Sequence, residues 1–253
     1  MKKIGIVGYG RFGELLADMC VNTFDVFVVE PDHDRHSVAV AKGLKTIMFE
    51  DLANTDYIFL AVPISIFEQT VKKLSPLVNK DTVVVDICSV KIYPVQIMKK
   101  NLSNCQILAT HPMFGPDSAK IGLSDMQIIT CPISIEQKNL DILNSFWSSF
   151  GLENIVTTPD EHDRQTIYSL AFTHAIANVI NNMDLPNITY TTRSFNAITR
   201  VAELSAKDTK QLFHDMLMYN PYLSNMQHEL EKAVSKTNVT LNRIKQDQAT
   251  LWP

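Results

Sequence analysis

The stretch IGIVGYGRFGELLADM places three glycines directly after an apolar run and directly before a helix-like pattern. In this strand–turn–helix setting, the spacing G-x-G-x-x-G is typical of a loop that binds a dinucleotide. We expect Gly8 to allow the tight turn, Gly10 to let the backbone approach a pyrophosphate, and Gly13 to let helix and strand pack closely. Glu14 and Leu15 stand where a nucleoside-triphosphate loop needs lysine and serine or threonine, which argues against such a loop.

An acidic residue follows the glycine loop at the distance that dinucleotide-binding units use, about 20 residues. Glu30 ends the second predicted strand. Its carboxylate can accept hydrogen bonds from the adenosine ribose and would repel a 2′-phosphate, so the sequence favours NAD as cofactor. Arg35 and His36 lie nearby and could favour NADP, which stays the alternative.

Strand-like and helix-like segments alternate through the first part of the chain. The predicted strands are Lys3–Val7, Val26–Glu30, Tyr57–Val62, Thr82–Asp86, Ile107–Thr110 and Gln127–Thr130. The predicted helices are Arg11–Val21, Ile66–Leu74, Pro94–Lys100 and Ile135–Phe150. Near-continuous apolar strands between helices indicate a parallel sheet covered on both faces. We therefore predict an α/β fold that begins with a Rossmann-type doubly wound sheet.

The character of the sequence changes near Pro159, after which no strand is predicted between residues 161 and 244. Two apolar stripes recur there at helical spacing. The first is Tyr168, Phe172, Ile176, Val179 and Met183, and the second is Leu223, Met226, Leu230, Val234 and Leu241. We predict a dinucleotide-binding domain over residues 1–158 and an all-helical C-terminal domain over residues 159–253. The second domain is expected to bind substrate and to form a homodimer, because one small domain cannot cover both stripes.

Composition narrows the class of protein. The net charge of −4 and the absence of a Lys/Arg-rich run argue against a nucleic-acid partner. No apolar run approaches the roughly 18 residues of a membrane helix, and the first residues lack a signal-peptide pattern, so a cytoplasmic protein without a membrane partner is expected. The four cysteines form no C-x-x-C pair and are expected to be reduced thiols. No metal site is predicted, and the motif DHDRH at 32–36 is expected to be a solvated loop.

Three chemically informative segments follow predicted strands. They are AVPIS at 61–65, DICSVK at 86–91, and His111 in THPMFGPDS. In a doubly wound sheet, ligands bind at the carboxyl ends of the strands. His111 stands on a loop stiffened by Pro112 and Pro116, where a general base is expected, with Ser89 close enough to be its partner.

These motifs resemble a known enzyme family. In order and spacing, GxGxxG, AVPISIF, DICSVK, THPMFGPDS and the later EHD at 161–163 are similar to the prephenate/arogenate dehydrogenase family, over residues 1 to about 230. The segment FNAITRVAEL at 195–204 resembles the substrate-arginine segment of that family, and no chorismate mutase domain is present. The resemblance implies an NAD(P)-dependent oxidoreductase of tyrosine biosynthesis. It would oxidatively decarboxylate prephenate to 4-hydroxyphenylpyruvate, or arogenate to tyrosine, with hydride transfer to the nicotinamide.

The resemblance also implies roles for individual residues. His111 accepts the proton of the ring hydroxyl of the substrate, and Ser89 hydrogen-bonds the same hydroxyl or His111. Arg200 binds a substrate carboxylate, and His174 lies near the substrate side chain. Some members carry a further arginine where this chain has Asn196, so prephenate and arogenate both stay open as substrates. The residues assigned to the cofactor are Gly8, Gly10, Arg11, Phe12, Gly13, Glu30, Val62 and Pro63.

Plainer alternatives exist for these residues. Ser89 could cap a turn, Arg200 could form a surface ion pair, and His174 could face solvent. Lys91 is expected to be a structural or surface charge.

Two other functions remain as alternatives. A β-hydroxyacid dehydrogenase-like enzyme needs a lysine on a helix of the second domain, and the chain has none between Lys138 and Lys207. A non-catalytic redox sensor would need the glycine loop but not His111, Ser89 and Arg200 together.

Overall fold

The computed structural model describes residues 1–252, and eight strands of this range form one sheet. The strands are β1 (Lys3–Val7), β2 (Asp25–Val29), β3 (Lys45–Thr46), β4 (Tyr57–Leu60), β5 (Val83–Asp86), β6 (Gln106–Pro112), β7 (Gln127–Ser134) and β8 (Glu153–Val156). Their order across the sheet is β3-β2-β1-β4-β5-β6-β7-β8. The chain starts in the middle of the sheet, builds one edge and then crosses to the other side, so the predicted doubly wound topology is confirmed.

Helices cover both faces of this sheet. They are α1 (Arg11–Cys20), α2 (His33–Ala41), α3 (Ile64–Leu74), α4 (Ile92–Asn101), the short α5 (Pro116–Ala119) and α6 (Gln137–Ser148), with 3₁₀ turns at Phe49–Asn54 and Ser75–Leu77. Strands β4, β5 and β6 are buried along their whole length. Their side chains alternate between two apolar cores, one around Phe59 and Trp147 and one around Ile58 and Val84. Burial on both faces explains why these strands read as continuous apolar runs.

The sheet differs from the predicted parallel arrangement at one pair, because β7 runs antiparallel to β6. A parallel return needs a crossover connection that usually contains a full helix. The link between β6 and β7 carries only α5, which is 4 residues long, so the chain turns back beside the strand it has just left.

A second correction concerns the motif DHDRH, which is mostly exposed to solvent, as expected, but begins a helix and does not form a loop. Asp32 is the N-cap of α2, and its side chain accepts a hydrogen bond from the backbone N–H of Arg35 at 3.0 Å. This helix has a weak sequence signal because Ala39 is its one buried residue. Strands β3 and β8 also went unpredicted, and both are short.

The chain from Pro159 to residue 252 is helical, as predicted, and contains no strand. Its helices are α7 (Pro159–Thr166), α8 (Phe172–Asn181), α9 (Arg193–Ser205), α10 (Lys210–Met218) and α11 (Leu223–Leu251). A π-helical turn, Ile167–Ala171, joins α7 to α8. The proposed boundary at residue 158 falls in the link between β8 and α7, and the division into two domains stays a prediction.

Two aspartates of the helical part hold the two parts of the chain together. Asp163 of α7 accepts hydrogen bonds from the backbone N–H groups of Lys91, at 2.6 Å, and Ile92, at 2.8 Å, at the start of α4. Asp215 of α10 accepts one from the backbone N–H of Ser65, at 3.2 Å, at the start of α3. Carboxylates at helix N-termini satisfy free N–H groups and interact favourably with the helix dipole. Each aspartate therefore fixes one sheet-covering helix to the helical part.

Lys91 is a structural charge, because its side chain is fully buried. The ammonium group forms an ion pair with Asp86 and donates a hydrogen bond to the carbonyl oxygen of Thr110 at 2.6 Å. A buried charge is tolerated when it is paired and hydrogen-bonded. This pair ties the end of β5 to the residue that precedes His111.

Three of the four cysteines are buried, Cys105 is half-buried, and all four are free thiols. Within residues 1–252, no helix is long and apolar enough to cross a membrane. The same range contains no group of three or more His, Cys, Asp or Glu side chains that could hold a metal ion.

Candidate active site

His111 lies inside β6, not on a loop after it. The antiparallel strand β7 supplies Ile129 as its pairing partner, which extends β6 to Pro112. The residue is 6% exposed. Its Nε2 atom has no hydrogen-bond partner within residues 1–252 and is not sealed from solvent. His111 thus sits at the carboxyl end of its strand with one ring nitrogen available to a ligand.

A second histidine, His162 of α7, contacts His111 directly. The distance between Nδ1 of His111 and Nε2 of His162 is 2.8 Å. On its far side, Nδ1 of His162 lies 2.7 Å from a carboxylate oxygen of Asp163. All three side chains are buried. They form a continuous hydrogen-bonded chain from the strand end to the carboxylate that caps α4.

The surroundings keep both imidazoles neutral. Burial lowers the pKa of His111 well below its usual value of 6.5, and the neighbouring His162 and Lys91 lower it further. Burial also lowers the pKa of His162, although the hydrogen bond to Asp163 opposes this shift. At neutral pH, His111 is therefore an unprotonated imidazole, the form that can act as a base.

Ser89 follows β5, the parallel neighbour of β6. Its hydroxyl oxygen is enclosed by protein atoms and makes no hydrogen bond. A buried hydroxyl without a partner is uncommon and costs stability, so it fits a group that a ligand completes. The structure places Ser89 and His111 on adjacent strand ends but forms no hydrogen bond between them.

His174 and Arg200, the predicted substrate contacts, lie on α8 and α9 of the helical part. His174 is buried, and its Nε2 atom is 3.7 Å from a carboxylate oxygen of Asp208. Burial lowers the pKa of His174, and Asp208 acts against this effect. Arg200 is exposed and forms no ion pair or hydrogen bond through its side chain within residues 1–252. The structure therefore pairs His174 with Asp208 and leaves the Arg200 guanidinium free.

The glycine loop has the geometry of a dinucleotide cradle. Gly8 has φ of 96°, and a Cβ atom there would lie 2.6 Å from the carbonyl oxygen of Ala61. A Cβ atom on Gly13 would clash with the carbonyl oxygen of Gly8, whereas one on Gly10 would meet no atom within 4 Å. No side chain caps α1 at Gly10. The open space beside an uncapped helix N-terminus suits a pyrophosphate.

Side chains around the loop complete this cradle. Val62 touches the loop, since its Cγ1 atom would lie 3.3 Å from a Cβ atom on Gly8. Pro63 follows it and is exposed. The ring of Phe12 packs at 6.1 Å from the ring of Phe114, which follows β6. The segments after β1, β4 and β6 thus meet at the carboxyl ends of these strands.

Glu30 is held beside the glycine loop by two backbone groups. One carboxylate oxygen accepts from the N–H of Tyr9 at 2.6 Å, and the other accepts from the N–H of Asp32 at 2.8 Å. Each carboxylate oxygen can accept a further hydrogen bond, so both remain available to ribose hydroxyls. The guanidinium of Arg35 is 3.4 Å from the carbonyl oxygen of Tyr9 and lies on the same side of the loop.

Arg11 was expected at the cofactor, but its side chain contacts other groups. The guanidinium pairs with Asp117, donates to the carbonyl oxygen of Lys207 at 3.0 Å, and lies 3.8 Å from Asp208. It therefore bridges the glycine loop to the link between α9 and α10. Only its backbone N–H, at the start of α1, remains placed for a phosphate.

The sequence did not assign roles to three residues of this site, His162, Asp163 and Asp208. The first two belong to EHD, and the signal available was a histidine between two acids at the start of the first helix after the sheet. Asp208 carried no motif. Its position beside His174 depends on the tertiary arrangement of α8 and the link before α10.

The chain is similar to two protein families in separate segments. A family described as "Prephenate dehydrogenase, nucleotide-binding domain" matches residues 19–156, more than half of the chain. A second, described as "TYRAAT1-like, C-terminal domain", matches residues 179–250. The first match begins after the glycine loop, so the assignment of that loop rests on its own geometry.

Two relatives from Arabidopsis thaliana cover most of this chain. Arogenate dehydrogenase 1, chloroplastic, is 27% identical over 91% of this chain and 37% of its own length. Arogenate dehydrogenase 2, chloroplastic, is 24% identical over 91% of this chain and 66% of its own length. This chain therefore spans less than two thirds of either relative.

Solved structures show the same fold. Prephenate dehydrogenase from A. aeolicus, in complex with hydroxyphenyl propionate and NAD⁺, has a TM-score of 0.78 at 20% identity, covering 98% of this chain and 93% of that one. Synechocystis arogenate dehydrogenase has a TM-score of 0.71 at 22% identity, covering 96% and 93%.

The lowered pKa values predict how stability depends on pH. Below about pH 6.5, the unfolded chain takes up protons on its histidines, whereas His111 stays neutral in the folded state. The free energy of unfolding should therefore fall as pH falls from about 6.5. Urea denaturation at several pH values should show a smaller slope for His111→Asn. The exposed His228 provides the control, since His228→Asn should keep the wild-type slope, and an equal slope for His111→Asn would contradict the assignment.

Proposed function

Because this chain belongs to the prephenate dehydrogenase family, we propose that it catalyses the oxidative decarboxylation of arogenate or prephenate with a nicotinamide dinucleotide as hydride acceptor. The observation that carries this proposal is the buried, neutral His111, held by a second histidine at the strand ends beside the glycine loop. Oxidation of a ring hydroxyl needs such a base.

The chemistry assigns a task to each side chain. Hydride leaves C4 of the cyclohexadiene ring and the C4 hydroxyl loses its proton to a base. The C1 carboxylate then leaves as carbon dioxide, its bonding electrons make the ring aromatic, and the resulting phenolate takes the proton back. His111 accepts the hydroxyl proton at Nε2. Ser89 supplies the hydrogen bond that keeps that hydroxyl beside His111, and Arg200 binds a carboxylate of the substrate through its guanidinium fork. When bound, the nicotinamide ring supplies the hydride acceptor.

We propose NAD as the cofactor. The backbone around Gly8, Gly10 and Gly13 fits a pyrophosphate, with the N–H groups of Arg11 and Phe12 at the start of α1. Glu30 would accept hydrogen bonds from the ribose hydroxyls and repel a 2′-phosphate. Val62 and Pro63 lie at the next strand end, on the path from the glycine loop toward His111.

Glu30→Ser should narrow the preference for NAD over NADP, because the repulsive charge is removed while Arg35 remains. We expect kcat/KM ratios for the two cofactors to change by about tenfold, which corresponds to about 1.4 kcal/mol. The matched control is Asp34→Ser, which removes a fully exposed carboxylate on α2. A wild-type enzyme that already prefers NADP tenfold would contradict the NAD proposal.

Charge near His174 favours arogenate over prephenate. Arogenate ends in an ammonium and a carboxylate, whereas prephenate ends in a keto acid. The carboxylate of Asp208 lies beside His174, where the resemblance places the substrate side chain, and would attract an ammonium group. The chain also carries Asn196 on α9 and so lacks the positive charge that an arginine there would offer to the net negative side chain of prephenate. We therefore propose arogenate as the preferred substrate.

Asp208→Asn should shift this preference toward prephenate. Removing the carboxylate loses the attraction for the ammonium group and also the repulsion of a keto acid, so the arogenate-to-prephenate ratio of kcat/KM should fall about tenfold or more. Glu203→Gln, at an exposed acid on α9, should leave the ratio unchanged. An unaltered ratio in Asp208→Asn would refute the proposed role of Asp208.

The activity itself is tested by NADH formation from arogenate and from prephenate. His111→Asn retains hydrogen-bonding capacity but cannot take the proton, and should lower kcat by about 10²–10⁴ without loss of NAD binding. Arg200→Lys should raise KM for the substrate, since a point charge replaces a fork. His228→Asn should behave as wild type. Tight NAD binding with no turnover of either substrate would instead support a non-catalytic sensor.

We also propose that the helical part forms a homodimer. The predicted stripe along the π-helical turn and α8 remains exposed, with Tyr168 45%, Val179 52% and, just after α8, Met183 55% accessible. On α11, Val234 and Leu241 are 50% and 56% accessible. Apolar stripes of this extent are typical of a subunit interface.

Sedimentation velocity at micromolar concentration should show a dimer. The double variant Val234→Glu/Leu241→Glu should weaken it, since burying two carboxylates in an apolar interface is unfavourable. Val40→Glu, at an exposed apolar residue of α2, should leave the dimer intact. A wild-type protein that sediments as a monomer would exclude the interface.

A further inference from the structure

The protonation of Asp163 determines the state of the residues attached to it. Its carboxylate accepts the backbone N–H groups of Lys91 and Ile92 at the start of α4, a helix of 10 residues. Each oxygen of this carboxylate already accepts one of these backbone N–H groups, so the side chain acts as a hydrogen-bond acceptor here. An ionised carboxylate can only accept hydrogen bonds. The contact of 2.7 Å with Nδ1 of His162 therefore requires a proton on that nitrogen.

The protonation of His162 in turn determines that of His111. A neutral His162 with its proton on Nδ1 has a lone pair on Nε2. That lone pair lies 2.8 Å from Nδ1 of His111, so His111 must be the donor and must carry its own proton on Nδ1. The lone pair of His111 is then on Nε2, the nitrogen with no partner within residues 1–252.

We propose that His162 is a positioning residue that fixes the tautomer of His111, holding the proton on Nδ1 and the basic lone pair on Nε2. The consequence for catalysis rests on the proposed function, whereas the tautomer does not. Without such a partner, a neutral imidazole in water favours the opposite tautomer, with the proton on Nε2. That form would present a donor, not a base, to the hydroxyl of the substrate.

The arrangement also stabilises the product of proton transfer. The O–H bond of the substrate breaks and an Nε2–H bond forms, so His111 becomes an imidazolium. Its Nδ1–H continues to donate to His162, whose own N–H points at the negative charge of Asp163. A carboxylate acting through a histidine in this way stabilises the charged ring, as in other relays of this kind, without being protonated itself.

The test reads the tautomer directly, without substrate or cofactor. In protein labelled with ¹⁵N-histidine, long-range ¹H–¹⁵N spectra at neutral pH distinguish a protonated Nδ1 from a protonated Nε2. The His111 signals are identified by their absence in His111→Asn. We expect wild type to show the proton on Nδ1, and a wild-type His111 with its proton on Nε2 would overturn the proposal.

Two substitutions separate the hydrogen bond from the volume of His162. His162→Phe fills the space but has no acceptor, and His111 should shift toward the Nε2-protonated form. His162→Gln offers its side-chain carbonyl in place of Nε2 and should keep the wild-type tautomer. An unchanged tautomer in a folded His162→Phe variant would also overturn the proposal.

Kinetics then connect the tautomer to turnover. His162→Phe should lower kcat on the order of 10²-fold or more, the loss expected when a general base is in the wrong state, with KM little changed. His162→Gln should recover most of kcat. If no substrate is turned over by wild type but the tautomer is as expected, the proposed function fails and the assignment of His162 stands. If wild type turns over a substrate but His111 carries its proton on Nε2, the proposed function stands and the assignment of His162 fails.

Discussion

The hydrogen bonds of the Asp163 carboxylate are the interactions on which the arrangement of the site depends. It accepts two backbone N–H groups at the start of α4 and lies 2.7 Å from Nδ1 of His162. It therefore contacts both a helix that covers the sheet and the histidine that contacts His111. A second contact keeps this region in place, because Asn220 donates to the backbone carbonyl of Asp163 at 2.9 Å. One ionised side chain thus holds a helix end and orients the histidine chain.

Two charged side chains are buried close to His111, where removing them from water is unfavourable. Asp86 and Lys91 are fully buried directly beneath the end of β6, and a buried ion pair gains little over an apolar pair of the same volume. The ion pair affects the protonation of the site more than it stabilises the fold. The positive Lys91 adds to burial in lowering the pKa of His111, while Asp163 keeps the next ring, His162, oriented. The buried ion pair therefore adds little stability but helps to keep His111 neutral.

Local sequence was sufficient for the elements whose signals are local. The glycine spacing identified the loop, whose conformation requires glycine at positions 8 and 13. The apolar runs identified the central strands. The position of His111 at a strand end followed from that topology. Its exact setting did not, because the antiparallel pairing with β7 that extends the strand depends on the path of a loop.

Contacts between distant segments could not be read from the chain. His162 lies 51 residues from His111, and Asp208 reaches both Arg11 and His174 from a link between helices. These pairings depend on how the helical part docks on the sheet. No periodicity or motif records that orientation. Arg11 illustrates the limit, since its place in the glycine motif was evident from the sequence but the direction of its side chain was not.

The paired caps have a consequence for how the molecule unfolds. Asp163 and Asp215 stabilise α4 and α3 from outside the sheet, so separating the helical part leaves both helix ends with free N–H groups. At about 1 kcal/mol for each cap, this loss links melting of one part to melting of the other by about 2 kcal/mol. Together with the Tyr93–Tyr219 ring contact at 4.5 Å, the caps couple the unfolding of the two parts, which favours one heat-absorption peak in calorimetry over two.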